Sequence, residues 1–384
     1  MLSFAFSPEQ EEFRVQLRKF AVAELAPRYI ERAARPEFCW DAHRKLAELG
    51  VLGIGLPEKH GGTGALDPVT LGLAAETLAY GDVNVASAPV LSGLVASQLA
   101  ENGQDAVVDE WLPQLIAGDV VAAIAVTEPS CGSDVSRLRT EARRVPGGWR
   151  IRGEKIAITL ATAASVALVY AREPGSEGYR GVSCFAVPLD AGGVTRTHTP
   201  GMGCLPLCWG QLSFDDVFVP EDHVVGEPGR GFAGAMDHFD FSRPALGLLC
   251  LGAAQASIDE ACTWAVQREA FDRPLAAFQG VSFPLAEHAT YMEAARWLCY
   301  RSLWARQAGQ KHTHFAAMSK WWPPIVAKDA IETAIVTFGN LGYSTEMPLQ
   351  QRYRDVASYL IADGTAGIQK RIIATAMMGK VAAL

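Results

Sequence analysis

What most narrows the fold of this chain is a change of texture that happens twice. In the first 118 residues, apolar side chains recur at helical spacing. Phe13, Leu17, Phe20, Ala21 and Leu25 make one face of a first helix. Ser7-Pro8-Glu9-Gln10 opens that helix as a capping box, with a Ser cap, Pro at the first helical position and Gln three residues after the Ser. Pro27 should end or kink it. A second helix is expected over 41–49, a glycine-rich loop over 57–64, and a mostly helical Ala- and Leu-rich stretch over 65–117. From Asp119 the texture becomes short apolar or β-branched runs at 120–126, 149–156, 165–170, 183–187, 194–197 and 211–214, punctuated by Gly and Pro. After Gly231-Phe232 helical spacing returns, with long helices expected over 246–267, 280–308, 314–338 and 349–362, the third interrupted at Pro323-Pro324. The expectation is a mainly α chain with a central, small antiparallel β domain, divided as 1–118, 119–228 and 229–384.

Composition excludes several classes. The net charge of -8 repels nucleic acid and anionic membrane surfaces, so neither is expected as a partner, and an anionic ligand would need a local basic pocket. Two long uncharged stretches, 156–170 and 244–258, fall short of the roughly 18–20 apolar residues of a membrane span. No basic leader followed by an apolar run begins the chain, and the expectation is a soluble, cytoplasmic protein. The 8 cysteines form no C-x-x-C pair, and Cys204 and Cys208 lack the partners of a zinc pattern, so reduced thiols and no metal are expected. His312-Thr313-His314 reads as ordinary histidines rather than ligands. Dinucleotide, phosphate-loop, nucleophile-elbow and zinc-helix motifs are all missing.

The stretch that can carry chemistry is Ala125-Val126-Thr127-Glu128-Pro129-Ser130-Cys131-Gly132-Ser133-Asp134, after an expected strand. Hydroxyls flanking a glycine in a tight loop can offer N–H and O–H donors to an electron-rich ring or a phosphate. Alone, it is equally a polar turn. It resembles the T-E-P-x-x-G-S-D signature of the acyl-CoA dehydrogenases, and ordered matches extend over nearly the whole chain. They include Pro57-Glu58-x-x-Gly61-Gly62, Phe214-Asp215-Asp216-Val217, Phe239-Asp240-x-Ser242-Arg243-Pro244, Arg268-x-x-Phe271 with Gln279, Phe338-Gly339-x-x-Gly342-Tyr343, Arg354-Asp355 and Gly364-Thr365.

That resemblance implies an enzyme that uses FAD to desaturate an acyl-CoA thioester. A carboxylate takes the α-proton, the β-hydrogen leaves as hydride to the flavin, and backbone and ribose donors hold the thioester oxygen. By the resemblance, Val126, Thr127, Gly132, Ser133, Thr159 and Thr365 would bind the flavin, and Arg268, Phe271 and Gln279 would reach that of a second subunit. Ser133, Phe239, Asp240 and Arg243 would contact substrate along the CoA channel. Asp363 is the matched base, one methylene shorter than the Glu many members carry, and Ser242 stands where another branch places its Glu. The partners implied are an acyl-CoA or acyl carrier protein thioester, an electron-transferring flavoprotein, and further subunits making a dimer or tetramer.

The pattern also departs from the family. Ala157 replaces an aromatic, Val336 a Gln, Asn340 a Gly, and Gly367 a polar side chain, while Cys131 and Arg137 replace small residues. Each lost polar contact costs on the order of 1 kcal/mol. Two alternatives stay open: a non-autonomous subunit that completes another chain's flavin site, and a flavoenzyme that reacts with oxygen beside the small Ala157.

Overall fold

A computed structural model describes residues 5–65 and 67–379. The helices, in chain order, are α1 (Pro8–Phe20), α2 (Tyr29–Ala33), α3 (Trp40–Glu48), α4 (Pro68–Ala79), α5 (Val83–Asn102), α6 (Asp105–Ala117), α7 (Gly231–Gln267), α8 (Gln279–Gln307), α9 (Thr313–Trp321), α10 (Pro323–Phe338), α11 (Asn340–Tyr343), α12 (Pro348–Ser358) and α13 (Ala366–Met378). Between α6 and α7 run β1 (Ala122–Ala125), β2 (Glu141–Val145), β3 (Gly148–Ile158), β4 (Val166–Arg172), β5 (Val182–Pro188), β6 (Val194–His198), β7 (Gly210–Pro220) and β8 (Val224–Val225). A two-strand hairpin, β9 (Glu269–Ala270) and β10 (Arg273–Pro274), separates α7 from α8. The order helices, strands, helices is the one the texture of the sequence predicts.

The local signals mostly hold. Both halves of the Ser7–Gln10 capping box form. Pro323-Pro324 separates α9 from α10 by starting a new helix, where its missing N–H is harmless. Pro27 does not stop the chain's winding. The helix loosens into a π turn at Ala21–Leu25 and a 3-10 turn at Ala26–Arg28, which seats Pro27 near a turn start, and α2 then resumes. The expectation of no membrane-length apolar helix needs correction. Val83–Asn102 and Met236–Gln267 are long and apolar enough: residues 83–100 are by themselves an uncharged run, and the second helix runs on through the isolated charges that bound 244–258. In each, 78% of the apolar window is buried by the fold itself.

Two compact units are present. The one comprising residues 36–66 and 88–242 holds an eight-stranded sheet in the order β6-β7-β3-β2-β4-β5-β8. Its pairings are antiparallel along most of this path, whereas β1 joins β4 in parallel and β2 meets β4 in parallel at a single pair. β2 escaped the sequence reading because Glu-Ala-Arg-Arg-Val is mostly charged; only Ala142 turns fully into the core. Leu99, Val107, Leu112, Leu138, Val166 and Leu168 are central in the apolar core of this unit.

The second unit, residues 1–35, 67–87 and 243–384, is helical. Its spine is α7 from Arg243 onward, with Leu246, Leu248, Leu249 and Cys250 fully buried. Two glycines let neighbours approach this spine at backbone distance. A Cβ at Gly247 would lie 2.5 Å from the Ser319 carbonyl oxygen of α9, and one at Gly252 would overlap the Glu76 carbonyl oxygen of α4. A polar network fixes α12. The buried Asp355 carboxylate accepts from Tyr29 (2.5 Å), Asn84 (2.9 Å) and Gln351 (2.8 Å). Arg352 grips Glu260 of α7 with two bonds of 2.8 and 2.9 Å. Gly252→Val should therefore cost at least the 1–3 kcal/mol typical of overpacking, roughly, because the obstacle is backbone. The check is the thermal midpoint, with Gly93→Val as control, since a Cβ at Gly93 meets nothing within 4 Å.

Candidate active site

The expected site residues fall into four groups, each positioned by local structure. The first lies where β1 leaves the sheet. Glu128 and Cys131 bond to each other's backbone (2.9 and 3.1 Å) and close a tight turn that exposes Gly132 and Ser133. The Thr127 carbonyl accepts from Ile156 N–H (2.9 Å), which brings Val126 and Thr127 against the end of β3, where Ala157 and Thr159 lie. There the pairing of β3 with β7 slips between Lys155 and Ile158, and Ala157 and Leu160 adopt left-handed backbone at φ 56° and 66°. A bulge of this kind re-aims side chains beside functional sites.

Beneath the turn is an ion pair that sequence reasoning missed. Lys155, wholly buried, donates to the Val126 carbonyl (3.0 Å) and to Glu128 (2.8 Å). Glu128 also accepts from the backbone N–H of Arg139 (2.5 Å) and Thr140 (2.8 Å). Burial pushes the Glu128 carboxyl upward, but the Lys155 charge and these hydrogen bonds outweigh it and hold the group below its ordinary range. Glu128 was visible in the motif; nothing local marks Lys155 as its partner.

The second group sits on the hairpin after α7. Phe271 and Asp272 are its two turn residues, both left-handed (φ 53° and 63°), a geometry that usually takes Asn or Gly. Phe271 is 88% exposed, and Arg268 and Gln279 are exposed at the two ends of the hairpin segment. The third group is the turn after α12. Asp363 is left-handed (φ 51°) and half-buried, followed by Gly364 (φ 95°) and by Thr365, the residue preceding α13.

The last group lies on α7. Phe239 is half-buried, and Asp240 and Arg243 are 8% and 6% exposed, so neither charge sits on the surface. Ser242 is buried and bonds its hydroxyl to the Phe239 carbonyl (3.3 Å).

Comparison with known proteins places the chain in a family. Residues 7–119, 123–217 and 229–378 match the family models of the acyl-CoA dehydrogenase N-terminal, middle and C-terminal domains. An acyl-CoA dehydrogenase of Bacillus subtilis (strain 168) is 33% identical over 97% of this chain and 98% of its own length. The chain belongs to the acyl-CoA dehydrogenase family. The mitochondrial short-chain specific acyl-CoA dehydrogenase of Rattus norvegicus is 32% identical over 96% of this chain and 90% of its own length. Among solved structures, butyryl-CoA dehydrogenase from Megasphaera elsdenii superposes with a TM-score of 0.94 at 31% identity, covering 98% of this chain and 100% of its own. This acyl-CoA dehydrogenase is accordingly a flavoprotein oxidoreductase acting on CH–CH bonds.

The residues present fit a flavin. The half-buried Thr127 hydroxyl has no hydrogen-bond partner among the described residues, and a Cβ at Gly132 would meet nothing within 4 Å. Lys155→Met should cost about 3–5 kcal/mol, because it strands the Glu128 charge in the interior; adding Glu128→Gln should recover part of the loss. Because the Glu128 pKa is depressed, its contribution is full above the ordinary carboxylate range and fades as pH falls through the lower folded value. The gap between wild type and Lys155→Met, measured by denaturant unfolding, should shrink on acidification. A gap independent of pH would contradict a charged Glu128.

Proposed function

We propose that this acyl-CoA dehydrogenase binds FAD through Val126, Thr127, Gly132, Ser133, Thr159 and Thr365, and that Asp363 is its base. Bound FAD supplies the acceptor for the β-hydride. Asp363 takes the α-proton onto a carboxylate oxygen, and Phe239, Asp240, Arg243 and Ser133 position the thioester. The observation that carries this assignment is backbone strain. Among the described residues of the helical unit, the left-handed non-glycine residues are Phe271, Asp272 and Asp363. Each such residue costs on the order of 1–3 kcal/mol and persists where function demands it. Asp tolerates this conformation better than most residues.

An electron-transferring flavoprotein would reoxidise the flavin. A related protein is the CarC subunit of the caffeyl-CoA reductase-Etf complex of Acetobacterium woodii, 30% identical over 98% of this chain and 100% of its own length. The exposed Arg268, Phe271 and Gln279 support assembly with a second subunit, whose flavin they would reach. Eight free cysteines support a reducing, cytoplasmic setting. Ala157 and Gly367 are both exposed and offer little to shield a flavin, which keeps the partner-subunit alternative in play.

Asp363→Asn should slow flavin bleaching by about 10²–10⁴-fold, the usual worth of a general base, with fold and flavin kept. The measurement is anaerobic bleaching by linear, branched and cyclic acyl-CoA esters. Full bleaching by the Asn variant would sink Asp363 as base. Absence of bleaching by any ester in wild type and in Asp363→Glu would favour the partner subunit. Arg268→Ala and Thr127→Val should each lose flavin with little change in melting temperature; undiminished flavin in both would show the cofactor site misplaced.

A further inference from the structure

Lysine is rarely buried, yet Lys320 of α9 is 1% exposed. Its ammonium donates to the Tyr359 carbonyl (2.7 Å), at the C-terminal end of α12, and to the Gly364 carbonyl (3.5 Å). Gln369 of α13, itself fully buried, reaches the same turn. Its amide nitrogen donates to the carbonyls of Asp363 (3.0 Å) and Gly364 (3.3 Å). The strained turn that carries the base is thus gripped by two buried donors from two different helices. A Cβ on Gly364 would lie 2.6 Å from the Gln369 amide nitrogen, so the grip is tight. Three groups face the ammonium besides these carbonyls: the Asp363 carboxylate, Cys250 and Arg243. Burial pushes the Lys320 pKa down, and the facing Asp363 opposes that.

We propose that Lys320 is a positioning residue for α-proton abstraction: with Gln369 it pins the peptide carbonyls of the Asp363–Gly364 turn and so sets the direction from which the Asp363 carboxylate works. This rests on Asp363 being the base. A purely structural role, capping the end of α12, would stabilise the fold without touching the proton-transfer step. The short aspartate makes the distinction sharp. With one methylene less to adjust, its reach depends on where the turn holds its Cα, and a misplacement of about 1 Å costs roughly a hundredfold in rate.

The test uses the flavin-loaded enzyme with Lys320→Met, Gln369→Leu and Asp363→Asn. The substrate is whichever ester of the linear, branched and cyclic panel bleaches wild type. A second probe is its 3-thia analogue, in which sulfur replaces the β-carbon; it can exchange its α-protons with deuterated water but cannot deliver a β-hydride. Lys320→Met should lower the limiting rate of bleaching and the α-exchange rate by about 10–100-fold, with flavin content and half-saturating substrate within about twofold of wild type. Gln369→Leu, which removes only neutral donors, should show the same split and carries the test if Lys320→Met fails to fold. Unchanged limiting and exchange rates in a folded, flavin-loaded variant would overturn the positioning role. So would a loss that tracks melting temperature and substrate affinity together. Undiminished α-exchange in Asp363→Asn would overturn the base assignment instead; an inactive Asp363→Asn beside a fully active Lys320→Met would overturn only the positioning.

Discussion

A lysine ammonium taken out of water must be surrounded by oxygen, or it loses its proton or unfolds the chain. Among the described residues two lysines are buried, Lys155 and Lys320, and each finds its oxygens at a turn that carries proposed site residues. Lys155 takes the Val126 carbonyl and the Glu128 carboxylate beneath the turn that presents Thr127, Gly132 and Ser133. Lys320 takes the carbonyls of Tyr359 and Gly364 beneath the turn that presents Asp363. Loops ordinarily run over a surface and move. Tied from below by a buried charge, these two are anchored to the strand and helix that carry the lysines.

The same fixing lets strained backbone persist. Ala157 and Leu160 stand in left-handed conformation where β3 slips against β7, and Asp363 stands in it between α12 and α13. Neither stretch would hold such angles alone. In the helical unit the load passes down α12: Asp355, buried among Tyr29, Asn84 and Gln351, locks the helix that leads to the Asp363 turn, and Arg352 locks it to α7 through Glu260. The Arg354-Asp355 match to the family signature thus has a structural meaning, since Asp355 orients the helix rather than contacting a ligand itself.

Most positions that depart from the family pattern, among them Ala157, Val336, Asn340 and Gly367, are exposed, whereas Cys131 is buried. Ala157 and Gly367 are exposed, and no side chain crowds a Cβ built on Gly367 more closely than the Thr365 hydroxyl at 3.9 Å. The supports beneath the turns are intact, whereas the groups that would cover a flavin are trimmed. Covering groups can be supplied by a ligand or a neighbouring chain; a buried ion pair cannot.

Much of the fold was legible from residue order alone. Helical spacing, the Ser7–Gln10 cap and the break at Pro323-Pro324 act over one or two turns, so their consequences appear wherever such residues stand together. The signature at 125–134 and the Asp363-Gly364-Thr365 turn were legible for the same reason, being short and contiguous. The charged strand β2 was not, because its pairing with β3 rather than its own pattern makes it a strand. The burial of Asp240 and the partnerships of Lys155 with Glu128 and Lys320 with Tyr359 were equally hidden. Lys155 lies 27 residues from Glu128, and Lys320 lies 39 from Tyr359. No local pattern distinguishes a lysine bound for the interior from one bound for solvent. Which of them is buried is decided only when distant elements close around it and supply the carbonyl and carboxylate oxygens that its ammonium needs.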